Sequence, residues 1–451
     1  MAVIVPFRGM TYNFHSLHDM PLLVTPPYDV ISEREQEEFY RAHPHNIIRL
    51  ILGKRKIGDT DWDNRYTRAA DTFKRWESEG ILVRSQEPCI YLTSHTYDPG
   101  EGKPLRTRWG IIVLVRIEDE GSGVILPHEQ TFSAHKDDRL RLISACNAQF
   151  SQIFGLYEDP SDTIVGECKK EADSQAKVSF DFKDGTRHQM WILDSHSLFK
   201  KVAQVMADKP IFIADGHHRY ETSRNFRDIM RKRHGRRHVN RSYEYVMMYL
   251  SNMDNEGLTI LPSHRLIKNA PVFDLKSFLD ILKRWFNLTE VPFKGLSISE
   301  ECLNLKKRME EGGNGGTDIA FFAKEAGQFY ILSLKAGARD EMGADLHPAL
   351  KKLDVLVLSI LVFEMALGFD KGQMDNSDIF HYNSNMEETV SAVISGNYRM
   401  AFLLNPTRIE HVKEIAQNSL VMPRKSTFFY PKVLTGLVLN KIDPNETVNF
   451  F

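Results

Sequence analysis

The stretch Lys209-Pro-Ile-Phe-Ile-Ala-Asp-Gly-His-His-Arg-Tyr-Glu-Thr222 constrains the fold more than any other part of the chain. Pro210 stops what precedes it, Ile211 to Ala214 is a short apolar run, and Gly216 breaks that run two residues on, which predicts a buried strand ending in a sharp turn. From Tyr220 to Ile229 the pattern turns helical. Asp215, Gly216, His217, His218 and Arg219 therefore fall where a strand hands over to a helix N-terminus. Backbone N–H groups, the positive end of the helix dipole and a guanidinium fork can all face one anion there. The alternative is a turn whose Asp caps the helix and whose two histidines are ordinary surface residues.

With 451 residues, 42% of them hydrophobic, the chain is long enough for two or three domains. Its 58 basic and 60 acidic side chains leave a net charge of −2, so no overall field draws it to nucleic acid or anionic lipid. Cys89, Cys146, Cys168 and Cys302 lie far apart with no Cys-x-x-Cys spacing, which argues against a zinc site or a disulfide framework and for a reducing compartment. The apolar N-terminal run is too short for a signal peptide, and no run approaches a membrane span. A cytoplasmic protein with no membrane partner is the expectation.

Further polar blocks punctuate the chain. Ala2 to Val5 reads as a strand that places Arg8 near its end. Pro26 and Pro27 stiffen the backbone carrying Tyr28 and Asp29, ahead of a helix capped by Ser32 and Glu35. Asn46 to Leu52 reads as a strand, Tyr66 to Glu79 as a helix, and Cys89 to His95 with Trp109 to Ile117 as a long-looped hairpin. Leu126-Pro-His-Glu-Gln-Thr131 and Lys136-Asp-Asp-Arg139 bring an acid, a base and cations together: His128, Glu129, Thr131, Lys136 and Arg139.

Arg224 to Arg241 is heavily basic, a pattern that suits either nucleic acid or the solvated end of a helix. Leu261-Pro-Ser-His-Arg265 reads as a third turn offering His264 and Arg265. The glycines from 312 to 316 lack a phosphate-loop lysine and read as a loop. Ala349 to Leu367 reads as an apolar core helix. Near the C-terminus, two prolines bracket Lys425, Ser426 and Thr427, which could hold phosphate oxygens if the segment folds back on the central turn. The predicted division is a catalytic region over 1–268, an accessory α/β segment over 269–345 and a C-terminal region over 346–451. The fold class is α/β (α+β), mixed sheets with flanking helices.

Pro6-Phe-Arg8, Pro26-Pro-Tyr-Asp-Val30, Leu126-Pro-His-Glu129 with Thr131, Lys136-Asp-Asp-Arg139, Asp215-Gly-His-His-Arg-Tyr220, Leu261-Pro-Ser-His-Arg265 and Lys425-Ser-Thr with Tyr430-Pro-Lys432 resemble the successive signature blocks of a prokaryotic family catalogued as a domain of unknown function. The match runs nearly end to end. Asp-Gly-His-His-Arg by itself resembles the phosphate-binding turn of the ParB/sulfiredoxin-type fold, whose members include nucleases, CTPases, a peroxiredoxin-repair enzyme and free serine kinases. Some members of the longer family resemble serine kinases that use pyrophosphate. The resemblance implies a ParB/sulfiredoxin-like core and a small-molecule phosphotransferase making O-phospho-L-serine with Mg²⁺. No cysteine sits in the motif, which disfavours sulfiredoxin-type repair.

Phosphoryl transfer asks for positioning, charge neutralisation and one carboxylate to take a proton. On that reading Arg8, Lys136, Arg139, Gly216, His217, His218, Arg219, His264, Arg265, Lys425, Ser426 and Thr427 hold phosphate, while Tyr28, His128 and Thr131 face the substrate. Asp215 or Glu129 binds Mg²⁺, and Glu129 or Asp29 is the base, with Asp215 and His218 also in the catalytic set. No Walker or kinase glycine loop is present, which fits pyrophosphate as donor; ATP or ADP, and the reverse phosphatase reaction, stay open. A ParB-like nucleic-acid binder and a sensor of a phosphorylated metabolite are the alternatives.

Overall fold

A computed structural model describes residues 2–14, 19–100, 102–129, 133–234, 240–268, 274–312 and 316–448, with backbone alone at 133–135 and 312. The chain forms two compact units. One comprises 1–127, 131–259 and 431–451, the other 128–130 and 260–430.

The first unit is built on a nine-stranded mixed sheet. Ile211–Asp215 lies between Ile125–Leu126, its parallel neighbour, and Ile153–Tyr157, its antiparallel one. Next come Tyr245–Asn252, Arg106–Arg116, Ile90–Tyr97, Arg187–Leu193 and Val178–Asp181, and Ile4–Val5 pairs antiparallel with Arg106–Arg116 as the ninth. Alternation along Arg106–Arg116 sets the layers, because successive side chains leave a strand on opposite faces. Ile111, Val113 and Val115 pack with Leu198, Phe199 and Val202 of the helix His196–Met206 and with Ile164 and Cys168 of Thr163–Glu171. Burying each large aliphatic side chain contributes about 1.5–3 kcal/mol.

The other face carries Arg108, which is paired across the ladder with His95 and wholly buried. Its Nε donates to Tyr249 Oη at 3.2 Å, and its Nη2 lies 2.9 Å from His95 Nδ1. Tyr249 can cross here only because residue 110 is glycine: a Cβ would come within 2.4 Å of the tyrosine ring.

The second unit holds a six-stranded antiparallel sheet in the order Phe286–Pro292, Gln328–Leu334, Asp318–Ala323, Met400–Leu403, His264–Ile267, Phe380–Asn383. Leu305 and Met309 of the helix Ile298–Gly312 join Val390 and Val393 of Met386–Ile394 over Phe322, Ala401 and Leu403.

The chain thus has the mixed α/β class expected, but its units follow different lines from the three-part division 1–268, 269–345 and 346–451. Strands of the 269–345 segment share one sheet with strands at 264–267, 380–383 and 400–403, and the last 21 residues belong to the first unit.

Three local expectations are corrected. Asn46 to Leu52 is helical over Ile48–Ile51, because Asn46 Oδ1 accepts from the Ile48 N–H at 2.8 Å and opens a turn there. The apolar run, buried on every side, has no period to separate helix from strand. His264–Ile267 is an interior strand rather than a turn. The Ala349 to Leu367 run breaks into Pro348–Lys351, Asp354–Val357 and a wider winding over Leu358–Ala366 whose end is closed by Leu367 N–H on Val362 O.

The four cysteines are free and buried. Among the described residues no helix is long and apolar enough to cross a membrane.

Candidate functional site

The central turn forms as its residues dictate. The ladder between Ile211–Asp215 and Ile153–Tyr157 slips between Ile213 and Asp215, so Ala214 bulges and Asp215 opposes Phe154. Gly216 then takes φ +94°, and the 18-residue helix His217–His234 begins at once. A left-handed corner of this kind favours glycine, and space demands it too: a Cβ on residue 216 would stand 2.9 Å from the guanidinium of Arg219.

Arg219 folds back over the corner, donating to Asp215 Oδ2 and to the Gln152 carbonyl. Asp215 Oδ1 accepts from Lys432 Nζ at 2.7 Å. All three side chains are at least four-fifths buried, with exposures of 17%, 11% and 17% for Asp215, Arg219 and Lys432. One carboxylate at a helix N-terminus is therefore clasped by two cations, and the local charge sums to positive. His217 is buried and His218 half-buried in the first helical turn.

The flank of this corner is made by Arg139. Its guanidinium carbon sits 4.0 Å above the Tyr28 ring, its Nη1 donates to the Ile51 carbonyl at 2.7 Å, and its Nε reaches Asp138 at 2.8 Å. Asp138 also accepts from Tyr66 Oη at 2.7 Å and pairs with Arg65. Burial alone would raise its carboxyl, but Arg139, Tyr66 and Arg65 outweigh that and hold it below the usual range. Burial, then the neighbouring Asp29 charge, pushes the Tyr28 phenol up to about 12. A cavity of about 60 Å³ opens among Tyr28, Arg139, Arg219, Thr222 and Ser223. Asp29 is exposed and lines a second opening with Arg65 and Asp138. Lys136 pairs at 2.8 Å with Glu221, in the first turns of the corner helix.

Arg8 does not join this group. It donates to the Ser85 carbonyl and faces Glu446 at 3.9 Å. The Glu446 carbonyl accepts from Ser242 N–H, beyond the far end of the corner helix, which is about 27 Å long. The expected role of Arg8 as a phosphate clamp at the corner is corrected accordingly.

The second unit gathers most of the other candidates. His128 and Glu129 run beside Met422: the Met422 N–H donates to His128 O at 2.7 Å, and Glu129 forms a parallel bridge with Met422. Glu129 Oε1 accepts from the Lys425 N–H at 3.4 Å, and His128 Nε2 lies 3.4 Å from Thr427 Oγ1. Lys425 holds φ +54°, the left-handed region that a non-glycine residue adopts at a cost of about 1 kcal/mol or more. Arg265 donates to the Lys425 carbonyl at 3.2 Å and to Ser263 Oγ at 2.8 Å, with its guanidinium carbon 4.7 Å from the Tyr382 ring centroid. Burial lowers its pKa to about 10, so it stays cationic at neutral pH. Ser426 Oγ donates to the Pro423 carbonyl at 2.6 Å.

His264 is wholly buried and accepts from Leu404 N–H at 3.1 Å through Nδ1; burial lowers its pKa to about 3. A neutral imidazole locked into the sheet offers a phosphate no charge. Thr131 lies outside the described residues.

Among the described residues no group of three or more His, Cys, Asp and Glu is arranged to hold a metal ion. Asp215 does not fit Mg²⁺ as it stands, because its two oxygens already face Lys432 and Arg219. Glu129 is already engaged as well, through Oε1 on the Lys425 N–H.

Lys432 and Asp138 stand within the family's signature blocks, but the sequence assigned neither a role. Lys432 reaches Asp215 across 217 positions, which no local pattern encodes. Asp138 organises Arg139, Arg65 and Tyr66, and only its place within the Lys136–Arg139 run hinted at it.

Three arginines of the basic stretch from Arg224 are held in ion pairs. Arg224 pairs with Glu120, Arg227 with Asp119 and Asp228, and Arg231 with Glu244. Residues 235–239 lie outside the described ones.

No curated protein matches the sequence. Solved structures that resemble it include a free serine kinase in complex with AMP, at 11% identity and a TM-score of 0.34, covering 70% of this chain and 86% of that one. A conserved hypothetical protein from Pyrococcus furiosus, at 12% identity and 0.32, covers 70% and 90%. SbnI with a C-terminal truncation, from Staphylococcus aureus, at 9% and 0.32, covers 72% and 85%. Superposition this loose leaves the chemistry to this chain's own residues. The family model described as "Protein of unknown function (DUF1015)" matches residues 4–356, and the chain belongs to that family.

Proposed function

We propose that the chain is a small-molecule phosphotransferase, a kinase that moves a phosphoryl group from pyrophosphate to the hydroxyl of free L-serine and so forms O-phospho-L-serine and orthophosphate. The observation that carries this reading is the clasp of Arg219 and Lys432 around Asp215 at the glycine corner. Two cations, first-turn N–H groups and a dipole end face a single carboxylate, so an entering phosphate meets net positive charge already in place. Phosphoryl transfer takes most of its acceleration from such preset charge.

The serine acceptor and the pyrophosphate donor come from the likeness of the sequence blocks to serine kinases that use pyrophosphate. Arg139 and Lys136 border the same corner, each paired with a carboxylate, Asp138 and Glu221. The proton of the serine hydroxyl goes to a carboxylate, Glu129 or Asp29. Mg²⁺ bound to donor oxygens would neutralise charge on the leaving phosphate.

The test is ³¹P NMR of the purified protein with Mg²⁺, L-serine and pyrophosphate, and in parallel with ATP or ADP. A new phosphomonoester signal that grows in step with orthophosphate is expected with pyrophosphate and is lost in Asp215→Asn. Absence of that signal with every donor would sink the proposal. Comparing Glu129→Gln with Asp29→Asn identifies the base by which variant loses turnover.

A further inference from the structure

A cavity of about 360 Å³ in the second unit contains none of the candidate residues above. Its walls come from four separated segments of chain, so its composition is a product of the fold. Arg339, Lys352, Arg408 and His411 line it together with Thr317 and Asp354. Four nitrogen bases thus line the cavity with one carboxylate, Asp354, while a second, Glu414, pairs with Lys352. Arg339 is fixed by two bonds, from Nη2 to Thr317 Oγ1 at 2.7 Å and from Nε to the Lys351 carbonyl at 2.9 Å. Thr317 Oγ1 in turn donates to Asp354 Oδ1 at 2.6 Å. Lys352 stands at the half-exposed rim beside Glu414.

Arg408 occupies the N-cap position of the helix Ile409–Gln417, and no side chain caps that end. Its first-turn N–H groups therefore point the same way as the cationic side chains around them.

We propose that this cavity binds a small phosphate-bearing anion, with Arg408, Arg339 and Lys352 holding the phosphate and the helix end completing the cradle. The volume suits a compact metabolite rather than a dinucleotide. The fixed guanidinium of Arg339 is suited to planar, two-pronged recognition of phosphate oxygens. Thr407 lines the same cavity and donates to the Ser426 carbonyl at 2.7 Å, so occupancy bears directly on the loop that carries Lys425. The site stands independently of the kinase reading.

Isothermal titration of the full-length protein with inorganic pyrophosphate tests it, alongside Arg408→Gln, Lys352→Met and the corner variant Arg219→Gln. One binding event should weaken at least tenfold in Arg408→Gln and in Lys352→Met and persist in Arg219→Gln. Repeating the titration with inorganic phosphate and with O-phospho-L-serine separates a free phosphate from an esterified one by which binds more tightly. Wild-type isotherms in both cavity variants, with native circular dichroism, would overturn the proposal. So would a single binding event that Arg219→Gln abolishes. Lys352 is half-exposed, so its variant decides the matter if Arg408→Gln fails to fold.

Discussion

Lys432 Nζ lies 2.7 Å from Asp215 Oδ1, a contact that ties the C-terminal segment to the strand-to-helix corner across 217 positions of sequence. Both side chains are mostly buried, so the bond is a charge-assisted one of about 1.5–3 kcal/mol rather than a solvent-screened surface pair. Replacing Lys432 with Met keeps the stem and removes the charge. Thermal unfolding should show a modest loss of stability. Phosphoserine formation should fall at least a hundredfold, because the corner then loses one of the two cations that clasp Asp215. Turnover within a factor of two of wild type would show that Lys432 serves the fold only.

Gly216→Ala separates geometry from charge. The new methyl would need φ near +94° and would stand 2.9 Å from the Arg219 guanidinium. The backbone term costs about 1–2 kcal/mol. The guanidinium must also swing off the corner, and that displacement leaves Asp215 without its arginine. Turnover should therefore drop by far more than chemical denaturation reports for stability. Equal losses in both would mean that the glycine matters only for the turn.

How far these features are legible in sequence follows from how local their causes are. Ile211–Asp215, Gly216 and the helix after them were readable because an apolar run, a breaker and a helical period lie within twenty residues. The Ser32–Glu35 capping box is present as expected for the same reason. Ile48–Ile51 was not readable as helix, since one buried turn carries no period. His264 and Arg265 look like a polar turn until the sheet closes around them and removes both from water. Arg139 could be named from sequence as a cation, but its stacking on Tyr28 depends on a segment more than a hundred residues away.

Arg108 makes a different prediction. It is wholly buried and paired with a neutral histidine and a tyrosine, and its Nη1 has no hydrogen-bond partner. Burial, then the charges of His188 and Arg108, hold His95 well below its ordinary pKa, so no compensating charge comes from it. A buried cation of this kind carries a desolvation penalty that an apolar side chain of similar volume avoids. Arg108→Met should leave stability unchanged or raise it, whereas Arg108→Ala should lower it by about 3 kcal/mol through the void left beneath Phe154 and Tyr249. Denaturant midpoints for the pair decide this; a Met variant as unstable as the Ala variant would show that the guanidinium itself holds the strands.

Asp354 should give the protein a stability that declines as pH rises through the mildly acidic range. Burial raises its pKa from 3.8 to about 6, with Thr317, Arg339 and Arg408 offsetting part of that rise and Asp318 adding to it. Between those two values the unfolded chain has already lost the proton and the folded chain still holds it, so the folded state binds more protons and loses stability with each increment of pH. The full loss, on the order of 3 kcal/mol, is in place once pH exceeds the folded value and is absent below the unfolded one. Asp354→Asn keeps an oxygen for the Thr317 hydroxyl and removes the titration. Its melting temperature should match wild type near pH 4 and exceed it near pH 8, measured by thermal unfolding at constant ionic strength. A variant less stable than wild type at pH 8 would mean that the ionised carboxylate is held by Arg339 and Arg408 more strongly than burial opposes it.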